Sequence, residues 1–375
     1  MIPLYKVYMP ENIDKEIAEI LYSGRLAYGN NSRQFEDSLR KFIGNEFILS
    51  VCNTNLTLQI AIDLLDCKPE DEIISSPMSC LATNQPILTN KLKIVWADID
   101  PKTGTLDPED VKKRIGPKTK AILHYHWCGY PGYINEINAI AKEKGIYVIE
   151  DASESFGAEY HGNKIGNNGS DMVCYSFGPV RLPTTIEGGA ISFNSEKLYR
   201  KALLMRDYGI ERSNFRDASG EITPECDIPK KGYGAMMNEI NGFIGLKQMQ
   251  QFEQLNLKRQ ANAIAYDSIL KESKNISPIS KIKGSKPSNW VHTILCEDRD
   301  EVMSEFKEKG ISASKVHLRN DYYSCFNERF RDDLKGVNEF SKKELCIPSG
   351  WWLDSADTEN ISKALQQLLY ENSKS

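Results

Sequence analysis

At 375 residues, 40% hydrophobic and 26% charged, the chain can bury a sizeable core and has the composition of an ordinary globular protein. Its net charge of −5 argues against a basic nucleic-acid footprint. No apolar run approaches the ~18 residues a membrane span needs, and Met1-Ile2-Pro3-Leu4-Tyr5-Lys6 lacks the basic-then-apolar order of a secretory signal. From about residue 33 to 195, short apolar runs alternate with helix-length amphipathic segments. Strands are predicted at 47–51, 72–75, 94–97, 121–125, 147–150, 172–176 and 190–193, and helices at 33–43, 54–66, 108–114, 133–144 and 196–207. This alternation predicts an α/β fold whose mostly parallel sheet carries helices on both faces. Residues 208–232 read as a polar loop and 237–270 as a long helix. After about 275 a smaller α+β unit is predicted. It has a strand at 292–296, a helix at 300–309, further strand candidates near 312–317 and 345–349, and a closing helix at 357–370. The expected division is 1–255 and 256–375, with the N-terminal segment packing on the smaller part.

Nine cysteines are scattered without a CxxC pair. This predicts a reduced, cytoplasmic chain with no metal site. His124-Tyr125-His126 puts both rings on one face of a strand, read as a strand end rather than a metal site. Several predicted strands end in polar or small residues: Asn53-Thr54-Asn55, Ser76-Pro77, Asp98, Asp151 and Ser176. Open α/β sheets bind ligands beyond the carboxyl ends of their strands, so the site is expected there.

The stretch from 147 to 190 is specific. Tyr147-Val148-Ile149-Glu150-Asp151-Ala152 is followed by Ser176-Phe177-Gly178-Pro179-Val180-Arg181 and by Thr184-Thr185-Ile186-Glu187-Gly188-Gly189-Ala190. Later come Val316-His317-Leu318-Arg319-Asn320-Asp321 and Ile347-Pro348-Ser349-Gly350-Trp351-Trp352. Together these segments resemble the DegT/DnrJ/EryC1/StrS sugar aminotransferases, pyridoxal-phosphate (PLP) enzymes of fold type I, over nearly the whole chain.

The resemblance implies roles residue by residue. Asp151 matches the carboxylate that keeps the cofactor's pyridine nitrogen protonated. Ser176, with Thr54 and Asn55, matches the phosphate donors. Cys80 falls in the 76–84 segment, which is similar to the family's loop near the cofactor ring. His317, Arg319, Asn320 and Tyr233 match positions at the substrate end of the cleft or the loop that reaches the neighbouring subunit. Arg181 stands where the family carries its Schiff-base lysine. A guanidinium stays protonated and has no nucleophilic lone pair, so it can neither form the internal aldimine nor shuttle the proton. Lys164, the nearest lysine before it in the chain, falls in a stretch similar to an exposed hairpin. Glu154, Ile186 and the Gly234-Ala235-Met236 run also depart from the family's usual residues around the same site.

The resemblance therefore implies a homologue acting on a nucleotide-linked or activated sugar, in bacterial surface-polysaccharide or deoxysugar synthesis. It also implies a homodimer with shared sites and chemistry other than ordinary transamination. Glu154, His124, His126 and Glu187 are the candidate bases. The cofactor is PLP, pyridoxamine phosphate or none. Arg181 either binds a substrate phosphate or carboxylate, or pairs internally with Glu154 or Asp151. Two alternatives stay open: a pyridoxamine-dependent dehydratase, and a non-catalytic sugar-nucleotide-binding or regulatory subunit.

Overall fold

The computed structural model describes residues 1–271, 273, 275–326 and 330–371. Its centre is a seven-stranded sheet. In spatial order the strands are Ile48–Val51, Gly189–Phe193, Met172–Ser176, Tyr147–Asp151, Thr119–Tyr125, Glu72–Ser75 and Lys93–Trp96. Only Gly189–Phe193 runs against its neighbours; the remaining pairs are parallel. The near-continuous apolar runs predicted for these strands follow from burial on both faces. Leu49, Ile149, Cys174 and Ile191 pack with the helix Thr54–Asp63 on one side. Tyr175 and Ala190 pack with Phe35 and Leu39 of the helix Asn30–Ile43 on the other.

Local chemistry sets the helix ends. The Asn53 side chain accepts from Asn55 N at 2.8 Å and starts Thr54–Asp63. Asp107 caps Pro108–Arg114, with proline in the first turn. Gly44 and Gly145 close their helices in the left-handed conformation.

The 32-residue helix Glu239–Leu270 crosses the boundary expected at 255/256. Phe252 and Leu255 near its middle join the large core, whereas Tyr266 and Leu270 join a core of C-terminal residues. There Ile276–Pro278, His292–Cys296 and Glu344–Ile347 form a three-stranded antiparallel sheet, covered by Arg299–Glu308 and Ser355–Glu371. Ile2 bridges to Ile311 and packs in this same core.

Two expectations fail. The 312–317 stretch forms no strand; Ser314 only makes an isolated bridge to Cys346. The second half of the expected 76–84 loop is instead the start of a helix, Leu81–Thr89, which carries Pro86 inside it. Pro86 is the sixth of its nine residues and cannot donate to the carbonyl four residues back, so this short helix forms without that bond.

Candidate functional site

The carboxyl ends of the parallel strands converge on Asp151, Glu154 and Ser176, and each has its own environment. Asp151 is buried at the end of its strand. Its Oδ2 accepts from Thr83 Oγ1 at 2.6 Å, and its Oδ1 from Ser153 N at 3.0 Å and Ser153 Oγ at 2.5 Å. An ionised carboxylate has about four acceptor sites, so Asp151 keeps room for one more donor. Ser176 Oγ and Thr54 Oγ1 share a hydrogen bond of 2.8 Å at the N-terminus of Thr54–Asp63. Thr54 Oγ1 also donates to Gly188 O at 2.9 Å and Asn53 caps Asn55 N, so the Ser176 hydroxyl is the donor left to meet an anion beside this helix start.

Glu154 is the most heavily engaged group. Its Oε1 accepts from Arg181 Nη2 at 3.0 Å and lies 3.2 Å from His317 Nε2, and its Oε2 accepts from the Tyr125 hydroxyl. Burial acts to raise its carboxyl, but His317 and Arg181 outweigh burial and hold it down at about 2. The Arg181 guanidinium also lies over the Trp290 ring, 4.2 Å from its centroid. Trp290 stacks on Tyr5 at 4.7 Å and donates from Nε1 to Val180 O at 2.8 Å. Tyr5, Trp290, Arg181 and Glu154 thus form one packed column. Cys80 borders it, and burial followed by the Glu154 charge pushes its thiol up to about 11. Among the described residues, Cys128, Glu154 and His317 have ligand-type atoms within 4.8 Å of one another. The Arg181 cation on Glu154 Oε1 opposes a metal ion there.

Asp151, Ser176, Thr54, Glu154, Arg181, Cys80 and His317 therefore lie around the strand ends, and the remaining expected site residues are placed differently. His126 is fully buried, with Nε2 2.8 Å from Glu150 and Nδ1 accepting from Gly132 N at 3.1 Å. Both its nitrogens are occupied, so it is a structural histidine. His124 is buried with no hydrogen-bond partner. Glu187 is exposed and accepts from Asn53 at 3.0 Å, and Asn55 is exposed beside it. Arg319 is 2% exposed and is occupied by Asp321, Asn338 and the Phe330 ring. Asn320 ties Ser79 O and Asn84 into the 76–84 segment, each at 2.9 Å. These two residues hold the cleft wall instead of facing a ligand. The Tyr233 hydroxyl donates to Asp63, the last residue of the helix that Thr54 begins. Nine residues of rise put Asp63 about 14 Å from the phosphate-type end. Ala235 N donates to Arg206 O and its carbonyl accepts from Cys52 N, both at 2.9 Å, so the Gly234–Met236 run contributes backbone bonds. Lys164 is paired with Glu159 at 2.7 Å, in the hairpin of Glu159–Tyr160 and Asn163–Lys164.

The sequence reading missed Tyr125, Thr83, Ser153, Trp290 and Tyr5. Thr83 and Tyr125 lay inside segments already singled out. Tyr5 and Trp290 carry no local signal, because only the fold brings them together.

Residues for a PLP-type cofactor are present in part. Asp151 and Ser176 offer the non-covalent contacts. Arg181, which the resemblance places at the covalent anchor, does not fit that role, because it is clamped between Glu154 and Trp290 and offers no amine. The loop beside it is strained as well. Ile186 has φ +70° and is 50% exposed, a conformation that is an outlier for a β-branched residue. Ile186→Gly is expected to raise unfolding stability by about 1 kcal/mol, since relief of strain exceeds the entropic cost of glycine. Urea denaturation checks this, and a loss of stability would show that Ile186 is not strained.

The fold matches those of known proteins. Over 98% of the chain and 100% of the other, the fold superimposes on the sugar aminotransferase CalS13 from Micromonospora echinospora, at TM-score 0.91 and 31% identity. AtS13 from Actinomadura melliaura matches with TM-score 0.92 and 30% identity over 98% of each chain. A Methanocaldococcus jannaschii protein, MJ1066, whose function is uncharacterized, is 27% identical over 99% of this chain and 98% of its own length. Residues 8–366 match the family pattern, and the chain belongs to the DegT/DnrJ/EryC1/StrS aminotransferase family.

Proposed function

We propose that this protein acts on a nucleotide-linked or otherwise activated sugar in the cleft around Asp151, Glu154 and Ser176, without Schiff-base transamination. One observation carries the reading: where the family's chemistry needs a free amine, Arg181 presents a guanidinium paired to Glu154 at 3.0 Å. The sugar substrate is inferred from the likeness to CalS13, a sugar aminotransferase. In this reading Ser176, beside Thr54, binds an anionic group of the ligand. When bound, a pyridoxamine-type cofactor would supply an electron sink at Asp151. His317, 11% exposed on its side chain, holds or releases a proton at Nε2 next to Glu154. The assembly is inferred to be a homodimer, as the family resemblance implies, and sedimentation velocity tests that.

A second reading, a non-catalytic sugar-nucleotide-binding subunit, is favoured by the closed Arg181–Glu154 pair. Incubation with PLP, then borohydride reduction and intact mass, separates the readings from ordinary transamination. No adduct at Arg181 or Lys164 is expected. Arg181→Lys alone is expected to leave PLP capture weak, because Glu154 would pair the new ammonium and hold it protonated. Turnover of a 4-keto sugar nucleotide with glutamate by the unaltered protein would sink the proposal. Tight nucleotide-sugar binding without any turnover would favour the second reading.

A further inference from the structure

Away from Asp151, the crevice behind Trp290 holds Arg259 and Trp352, which have no role in the reading above. It is lined by Tyr5, Arg181, Arg259, Trp290, Trp351 and Trp352, with Lys6 at its exposed rim. Arg259 is 3% exposed, on the helix Glu239–Leu270. Its Nη2 donates to Asn256 Oδ1 at 2.9 Å, its Nε has no partner, and no carboxylate pairs with it among the described residues. Burial lowers its guanidinium to about 10, which still leaves it charged at neutral pH. Arg181 uses Nη2 on Glu154, while its Nε and Nη1 have no hydrogen-bond partner. Trp352 Nε1 is likewise buried without a partner.

Every orphaned group on this wall is a donor, and two of the three residues are cations. Native proteins leave few buried donors unpaired, and a buried charge needs a counter-charge. About 10 Å³ of the crevice admits the centre of a water-sized sphere, which is room for a small ion. Water would accept hydrogen bonds but bring no charge. We propose that this crevice holds a single small anion, chloride in ordinary buffers, bound by Arg259, Arg181 and the Trp352 indole N–H. The ion balances Arg259 and fixes Arg181 from the side opposite Glu154, so it braces the column that borders the cleft. It does not depend on which sugar, if any, the cleft takes.

The full-length protein, exchanged into gluconate, tests this. At equal ionic strength, chloride and bromide are expected to raise the melting temperature saturably, by about 2 °C, over gluconate. A crystal grown in bromide is expected to show an anomalous peak between Arg259 and Trp352. Arg259→Gln, which keeps an amide for Asn256, is expected to remove the halide increment. If that variant does not fold, Trp352→Phe deletes one donor without changing charge and is expected to weaken halide binding several-fold. Equal melting temperatures in the two salts, or bromide peaks only on the outer surface, overturn the proposal.

Discussion

Replacing Glu154 with alanine is expected to lower the unfolding free energy by about 3–5 kcal/mol. The side chain is fully buried, and Arg181, His317 and Tyr125 all converge on its two oxygens. Removing it strands a guanidinium whose side chain is only 14% exposed, against the Trp290 ring. Cost arises mainly from that unpaired cation and less from the lost bonds. Glu154→Gln keeps an acceptor for Arg181 and should lose less. Urea denaturation of both variants checks the order, and a loss below about 1 kcal/mol in the alanine variant would show that water reaches Arg181. The same carboxyl, held at about 2 against an ordinary 4.5, carries a pH signature. Its stabilisation is complete above pH 4.5 and is lost as pH falls from there through about 2. The linkage is worth about 3 kcal/mol.

A second loss of stability is expected at milder acidity. His292 is buried in the C-terminal sheet, and burial lowers it to about 4, with Lys281 acting the same way and Asp267 opposing. His124 lies in the main sheet without a hydrogen-bond partner, and burial together with His126 lowers it well below 6.5. The unfolded chain takes up protons at these sites near pH 6.5, whereas the native chain does not. Stability is therefore full above 6.5 and falls as pH drops towards 4. For His292 alone the fall is about 3 kcal/mol, and His124 adds to it. Melting temperatures between pH 7 and 4 check this. Glu344, pushed up to about 9 by burial, works in the opposite sense over this window, so the comparison with His292→Gln isolates the histidine share, and identical profiles for the two proteins would mean that His292 is not held neutral. Loss from 6.5 to 4 thus comes from the histidines, and loss below 4.5 from Glu154.

The family resemblance rests on short motifs near strand ends, which are legible because each combines a turn with a polar group at fixed spacing. Asp151 and Ser176 are singled out in this way, and both lie at the ends of their strands. Arg319 and Asn320 sit in such a motif too, yet they brace the wall, since a motif does not state which way a side chain points. His126 was a fair candidate base by residue type, and only the neighbouring strand shows Glu150 and Gly132 occupying both its nitrogens.

The α/β sheet and its strand positions are legible in the chain alone, as is an arginine at 181. Hydrophobic period and turn chemistry are local, so one chain segment is enough to read them. What Arg181 does is settled only once the chain is folded. Its partners Glu154 and Trp290, with Tyr5 stacked on Trp290, meet only when the N-terminal segment, the main sheet and the C-terminal part pack together. An ion pair and a ring stack depend on distance through space, and separation along the chain carries no trace of them.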